Sequence, residues 1–102
     1  MTMRKKVRDE NRIEVSSGNV FVDLGFDDAE AQVLALRADL MAQVDKTIRA
    51  RGMTQVAAAE VLGVSQSRVS DLRRGKVEKF SLDMLVTFAA KLGKPARIKL
   101  AA

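Results

Sequence analysis

The spacing of apolar and polar positions changes several times along this 102-residue chain. Residues 1–19 are charged and polar with no helical period, and are expected to be mobile or to order only on a partner. From Asn19 to Gly25 the pattern alternates, with Val20, Val22 and Leu24 on one face and Asn19, Phe21 and Asp23 on the other. A period of two predicts a short extended segment. From Asp27 the period becomes helical. Val33, Leu36, Leu40, Val44 and Ile48 recur at spacings of three and four and predict the core stripe of a long helix, widened by Leu34 and Met41. Asp27 with Glu30 has the spacing of a capping box, and Asp27, Asp28 and Glu30 oppose the positive end of the helix dipole. Arg49 and Arg51 suit the last turn, and Gly52 permits a left-handed exit. Those signals predict a helix of roughly 22–24 residues.

Two shorter helical patterns lie in "TQVAAAEVLGVSQSRVSDLRRGK", Thr54 to Lys76. Thr54 caps the first, from Gln55 to Leu62, which Ala57, Ala58 and Ala59 keep slim enough for a close crossing. Gly63 can adopt positive φ and turn the chain, Val64 tucks towards the core, and Ser65 caps the second helix. There Val69 and Leu72 face inward, leaving Gln66, Ser67, Ser70, Arg73 and Arg74 outside. "VEKF" is a short connection to a final helix capped by Ser81, with Phe80 and Leu85 at hydrophobic-staple spacing. Leu82, Leu85, Val86, Ala89 and Leu92 form its inner face; Gly93 and Pro95 stop it. In the tail "ARIKLAA", Ile98 and Leu100 alternate with Arg97 and Lys99, the pattern of a short strand. The fold class is therefore all-α, a compact bundle of about four helices with short terminal strands allowed. The reading divides it into an N-terminal arm (1–25), a helical domain (26–95) and a strand-like tail (96–102).

Composition narrows the function. No apolar run approaches the roughly 18 residues of a membrane span, and the charged N-terminus does not resemble a secretory signal, so a cytoplasmic protein with no membrane partner is expected. The chain has no cysteine and no histidine, which removes thiolate metal sites, the commonest zinc ligand and the commonest general base. No catalytic constellation remains among the carboxylates, lysines and serines. The expectation is a protein that is not an enzyme and takes neither cofactor nor metal. The net charge of +5 is unevenly placed. Residues 1–52 hold nine basic and nine acidic side chains, residues 53–102 nine and four. A polyanion partner is favoured for the second half, a solvated basic face being the alternative.

Counted from Gln55 as first, Ala59 is fifth, Gly63 ninth, Val69 fifteenth and Leu72 eighteenth, the spacing that two short crossed helices require. With its "TQ" opening, "GVSQS" turn and closing "G-K", the stretch resembles the helix-turn-helix of the Xre/Cro class, which includes the phage repressors, over Thr54 to Gly93. The resemblance implies a lambda-repressor-like fold and double-stranded DNA as partner. Gln66 and Ser67 fall where phage repressors read bases, and Ser70 can reach either kind of base edge. Arg68 departs from many relatives, which have a small residue there; it could read a guanine or meet a phosphate. Gln55 falls where such proteins contact a phosphate and brace the reading glutamine. Thr54, Ser65, Arg73, Arg74 and Lys76 suit the DNA backbone. Asp71 could accept from cytosine N4 or hold Arg68 or Arg74 in place, the second being favoured beside phosphates.

One such motif binds weakly alone, so a homodimer on an inverted-repeat operator is expected. Ile98 and Leu100 are its candidate contact, unless that strand pairs with Val20–Val22 of the same chain. "SSGNVFVDLGFDDAEA" before a long helix resembles HigA-like bacterial antitoxins, which implies neutralisation of a RelE/HigB-like toxin and repression of the protein's own operon. Val20, Phe21, Val22, Leu34 and Met41 are the candidate toxin contacts, with plain core as the alternative for Leu34 and Met41. A stand-alone, prophage-type repressor and an interaction module that no longer reads DNA are the other two readings.

Overall fold

Side-chain caps open four of the five helices in the computed structural model, which describes residues 20–101; the expectations for residues 1–19 and residue 102 lie outside that range. The helices are α1 (Val20–Asp23), α2 (Asp28–Ala50), α3 (Gln55–Leu62), α4 (Gln66–Arg73) and α5 (Leu82–Lys91), with a single 3-10 turn, Val77–Lys79, between the last two. Asp27, Thr54, Ser65 and Ser81 each hold extended backbone and accept the amide three residues on, so each satisfies a donor that the helix itself leaves unpaired. The all-helical class stands as the pattern indicates, and α2 runs for 23 residues.

Both expected strands are absent among the described residues. Val20–Asp23 forms a helical turn, closed by Leu24 N–H donating to the Val20 carbonyl at 3.1 Å and capped off by Gly25 at φ 98°. That turn brings Phe21 edge-on to Phe26, with ring centroids 6.3 Å apart. The edge-to-face geometry is one that aromatic pairs prefer, and an alternating strand would not give it. With Val20–Val22 helical, the tail loses its candidate strand partner within the chain. Residues 94–101 then follow an irregular path in which only Ala96 packs on the core.

The core gathers one stripe from each of the four longer helices. Leu40, Met41, Val44 and Ile48 of α2 meet Ala58, Ala59 and Leu62 of α3, Val69 and Leu72 of α4, and Leu85, Phe88 and Ala89 of α5, closed by Phe80 and Leu92. The staple residues Phe80 and Leu85 are both fully inside, and Phe80 also packs edge-on against Phe88 at 6.1 Å. The α2 stripe is shorter than its periodicity suggests. Val33 is exposed and Leu36 half-buried, because α2 starts beyond the bundle, where, among the described residues, α1 packs on it and Ala31 is buried.

Candidate nucleic-acid interface

The geometry of α3 and α4 follows from a few small residues. Ala58 and Ala59 are buried and leave no bulk between α3 and its neighbours. Gly63 stands at φ 72° and ψ 36°, and the amides of Gly63 and Val64 both donate to the Ala59 carbonyl, at 2.9 and 3.0 Å. This left-handed closure ends α3 within one residue and lets Ser65 cap α4 two positions later. Lys91 reaches across from α5 to donate to the Leu62 carbonyl at 3.2 Å, placing a cation at the negative end of α3. Residue spacing does not reveal that contact, since the two residues are 29 positions apart.

On α4 the buried side chains are Val69 and Leu72. At 3.6 residues per turn, the opposite side carries Ser67 and Arg74 with Ser70 and Asp71 to either side of them, Gln66 on one shoulder and Arg68 on the other. Gln66, Ser67 and Arg74 are exposed and Ser70 is half-buried. Gln55 joins the two helices by donating its side-chain N–H to the Gln66 backbone carbonyl at 3.0 Å. The brace therefore acts on the main chain of Gln66 and leaves its side-chain amide exposed. The Thr54 and Ser65 hydroxyls accept the Ala57 and Arg68 amides at 3.0 and 3.1 Å, and each retains an O–H that can donate to a phosphate.

The cations are divided between solvent and the protein's own structure. Arg74 and Lys76 lie at the end of α4, where Gly75 at φ 72° turns the chain. Arg73, expected to face the DNA backbone, instead turns towards α2, its Nε 3.2 Å from Asp45 Oδ1. Arg68, expected among the base readers, also turns away from the exposed stripe. Its Nη1 donates to the Lys79 carbonyl at 2.9 Å, and its guanidinium carbon sits 5.5 Å from the centre of the Phe80 ring. Asp71 holds neither Arg68 nor Arg74; it pairs with Lys76 at 3.6 Å and Lys79 at 3.7 Å. Lys79 and Asp45 are thus members of this surface that residue spacing missed.

Residues 20–101 match the family described as the helix-turn-helix domain. The chain belongs to the helix-turn-helix domain family. No curated protein matches it significantly. The helix-turn-helix match begins at Val20 and runs to residue 101, so it takes in α1 and the whole of α2.

The helix-turn-helix unit leaves apolar side chains uncovered at both of its described ends. Val20, Val22, Leu24, Phe26 and Val33 are exposed around α1. Of the residues expected to meet a protein partner, Val20 and Val22 are exposed and Phe21 and Leu34 half-buried, whereas Met41 is 2% exposed and belongs to the core. Ile98 and Leu100 are exposed on the irregular tail. Among the described residues, no helix is long and apolar enough to cross a membrane.

Proposed function

We propose that this helix-turn-helix protein is a sequence-specific double-stranded-DNA-binding transcriptional regulator that acts by binding and not by catalysis. The observation that carries this reading is the polar stripe on α4 of exposed Gln66 and Ser67 and half-buried Ser70, braced at the Gln66 carbonyl by Gln55 and flanked by Arg74 and Lys76. Glutamine can pair bidentately with adenine, serine can bond either kind of base edge, and the flanking cations supply phosphate contacts. A helix that fits the major groove, short and capped, presents them together. The proposed site is Gln66, Ser67 and Ser70 for bases, with Thr54, Gln55, Ser65, Arg74 and Lys76 on the backbone.

Within that role, the finer reading is a dimeric antitoxin of HigA-like type that neutralises a RelE/HigB-like toxin and represses its own operon. The exposed apolar side chains of α1 support it, because such a patch at the far end of α2 leaves α4 free for DNA. Ile98 and Leu100, exposed on the tail, suit the contact with a second copy.

Selection from a random duplex pool with the full chain, at roughly physiological salt where non-specific attraction is weak, tests the reading. The expected product is an inverted repeat with half-sites about one helical turn, 34 Å, apart. A pool that remains unenriched sinks the DNA-reading function. A toxin gene adjoining the recovered operator, with co-purification of its product, supports the antitoxin role; an operator without one leaves a stand-alone repressor.

A further inference from the structure

The geometry points to Arg68 as a positioning residue that sets the loop behind the reading helix, and to Lys79, on that loop, as a DNA-backbone contact. This rests on the DNA-binding reading above. The loop from Gly75 to Phe80 leaves α4 through a left-handed glycine and enters the core at Phe80, which is 1% exposed. Between those points its internal bonds are few: Val77 N–H to the Gly75 carbonyl, Lys79 N–H to Lys76, and Phe80 N–H to Val77. Arg68 reaches it from the side. One guanidinium N–H donates to the Lys79 carbonyl, and the planar cation lies near the Phe80 ring, where the ring quadrupole attracts it. Asp71, one turn further along α4, draws the Lys79 and Lys76 ammonium groups to the same side. Two side chains of the reading helix therefore fix both the main chain and the charged tip of Lys79. The Lys79 side chain remains 47% exposed, and its ammonium, 3.7 Å from the Asp71 carboxylate, keeps N–H donors for a phosphate. An arginine spent in this way is not available to a guanine. Its role is to hold a cation at a set distance from Gln66, Ser67 and Ser70.

The test uses the full chain with Arg68→Met, Arg68→Lys, Lys79→Ala and the Arg68→Met/Lys79→Ala double variant. On duplexes recovered by the wild type, Arg68→Met and Lys79→Ala are each expected to bind about five- to tenfold more weakly, alike for every sequence, as loss of a phosphate contact requires. Arg68→Met should recover the same consensus as the wild type, and Arg68→Lys should regain part of the affinity. The double variant should fall within about twofold of Arg68→Met alone, because the two residues act through one contact. A consensus altered at one base position would make Arg68 a reader and overturn the proposal. So would a double variant that loses the product of the two single effects. Amide exchange without DNA supplies the second measurement. The Lys79 and Phe80 amides should exchange about tenfold faster in Arg68→Met while the α2 core amides do not change; equal exchange at Lys79 and Phe80 overturns the positioning role. Should the wild type select no sequence, the DNA-reading function fails by itself, and exchange still decides what Arg68 does.

Discussion

The Asp45 carboxylate ties α2 to the reading helix, with Oδ1 3.2 Å from Arg73 Nε, while its other oxygen accepts from Arg49 Nε at 2.8 Å. The Arg49 bond is well formed. The Arg73 contact is an ion pair out of hydrogen-bond alignment, so Asp45 Oδ1 is buried without a hydrogen bond. Arg73 is 30% exposed and Asp45 18%, which puts their pairing between a surface bridge and a buried one. Asp45→Ala should cost about 1–2 kcal/mol of stability, nearer a hydrogen-bonded pair than a fully solvated one. Urea unfolding should show a lower midpoint at unchanged slope. An unchanged midpoint would mean that packing alone holds Arg73.

Gly63 is the hinge of the motif. An added Cβ meets only the Lys91 ammonium tip, at 3.2 Å, which a flexible side chain can relieve. The cost of Gly63→Ala is therefore backbone strain at φ 72°, about 1–2 kcal/mol. A thermal melt should fall by roughly 4–16 °C for a domain of this size. Gly63→Asn should fall less, since asparagine tolerates the left-handed region. Equal melting of the alanine variant and the wild type would refute the strain argument.

Ala58 is fully buried against the neighbouring helices. Ala58→Leu should destabilise by about 1–3 kcal/mol or more, because an interior packed to crystal density has no space for three further carbons. Calorimetry that finds the variant as stable as the wild type would show that α3 can move outward.

Gln66→Ala should relax base preference and cost about 1–3 kcal/mol on the best site. Gln55→Ala removes the brace on the Gln66 carbonyl and should cost less, about 1 kcal/mol, with the consensus retained. Titrating both variants against matched and mismatched duplexes separates the two roles. Undiminished discrimination in Gln66→Ala would move the reading to Ser67 and Ser70.

Lys76→Ala should weaken all duplexes alike and lower the slope of log affinity against log salt by about one. A changed sequence preference would instead place Lys76 among the readers.

Capped helices were the legible part of this fold. Asp27, Thr54, Ser65 and Ser81 each announce a helix start by a local rule, and the structure keeps all four caps. Alternation over five residues was the illegible part. Val20, Val22 and Leu24 satisfy a strand pattern, but so short an apolar run is equally compatible with one helical turn, and the Phe21–Phe26 contact is decided by packing. Ile98 and Leu100 show the related limit, since a strand needs a partner that its own sequence does not reveal. At the site, exposure of Gln66 and Ser67 follows from helical period, whereas the destination of a long cation does not. Arg73 could have reached solvent and reached Asp45 instead. Arg68 did carry a signal: its position on the helical wheel lies nearer Leu72 than Ser67, towards the following loop.

The protrusion of α2 beyond the bundle gives the molecule an electrical direction. From Val20 to Leu36 the chain carries Asp23, Asp27, Asp28 and Glu30 and no basic residue. From Asp28 to Asp45, where Arg73 docks, α2 rises by about 25 Å at 1.5 Å per residue. Acidic and basic ends are thus held apart by a rod longer than the roughly 8 Å over which physiological salt screens charge. Near a polyanion the acidic stretch from Val20 to Leu36 and the basic surface around α4 experience opposite forces. The acidic stretch would be repelled from a duplex bound at α4, so a molecule attached along the start of α2 would be held on the side remote from it.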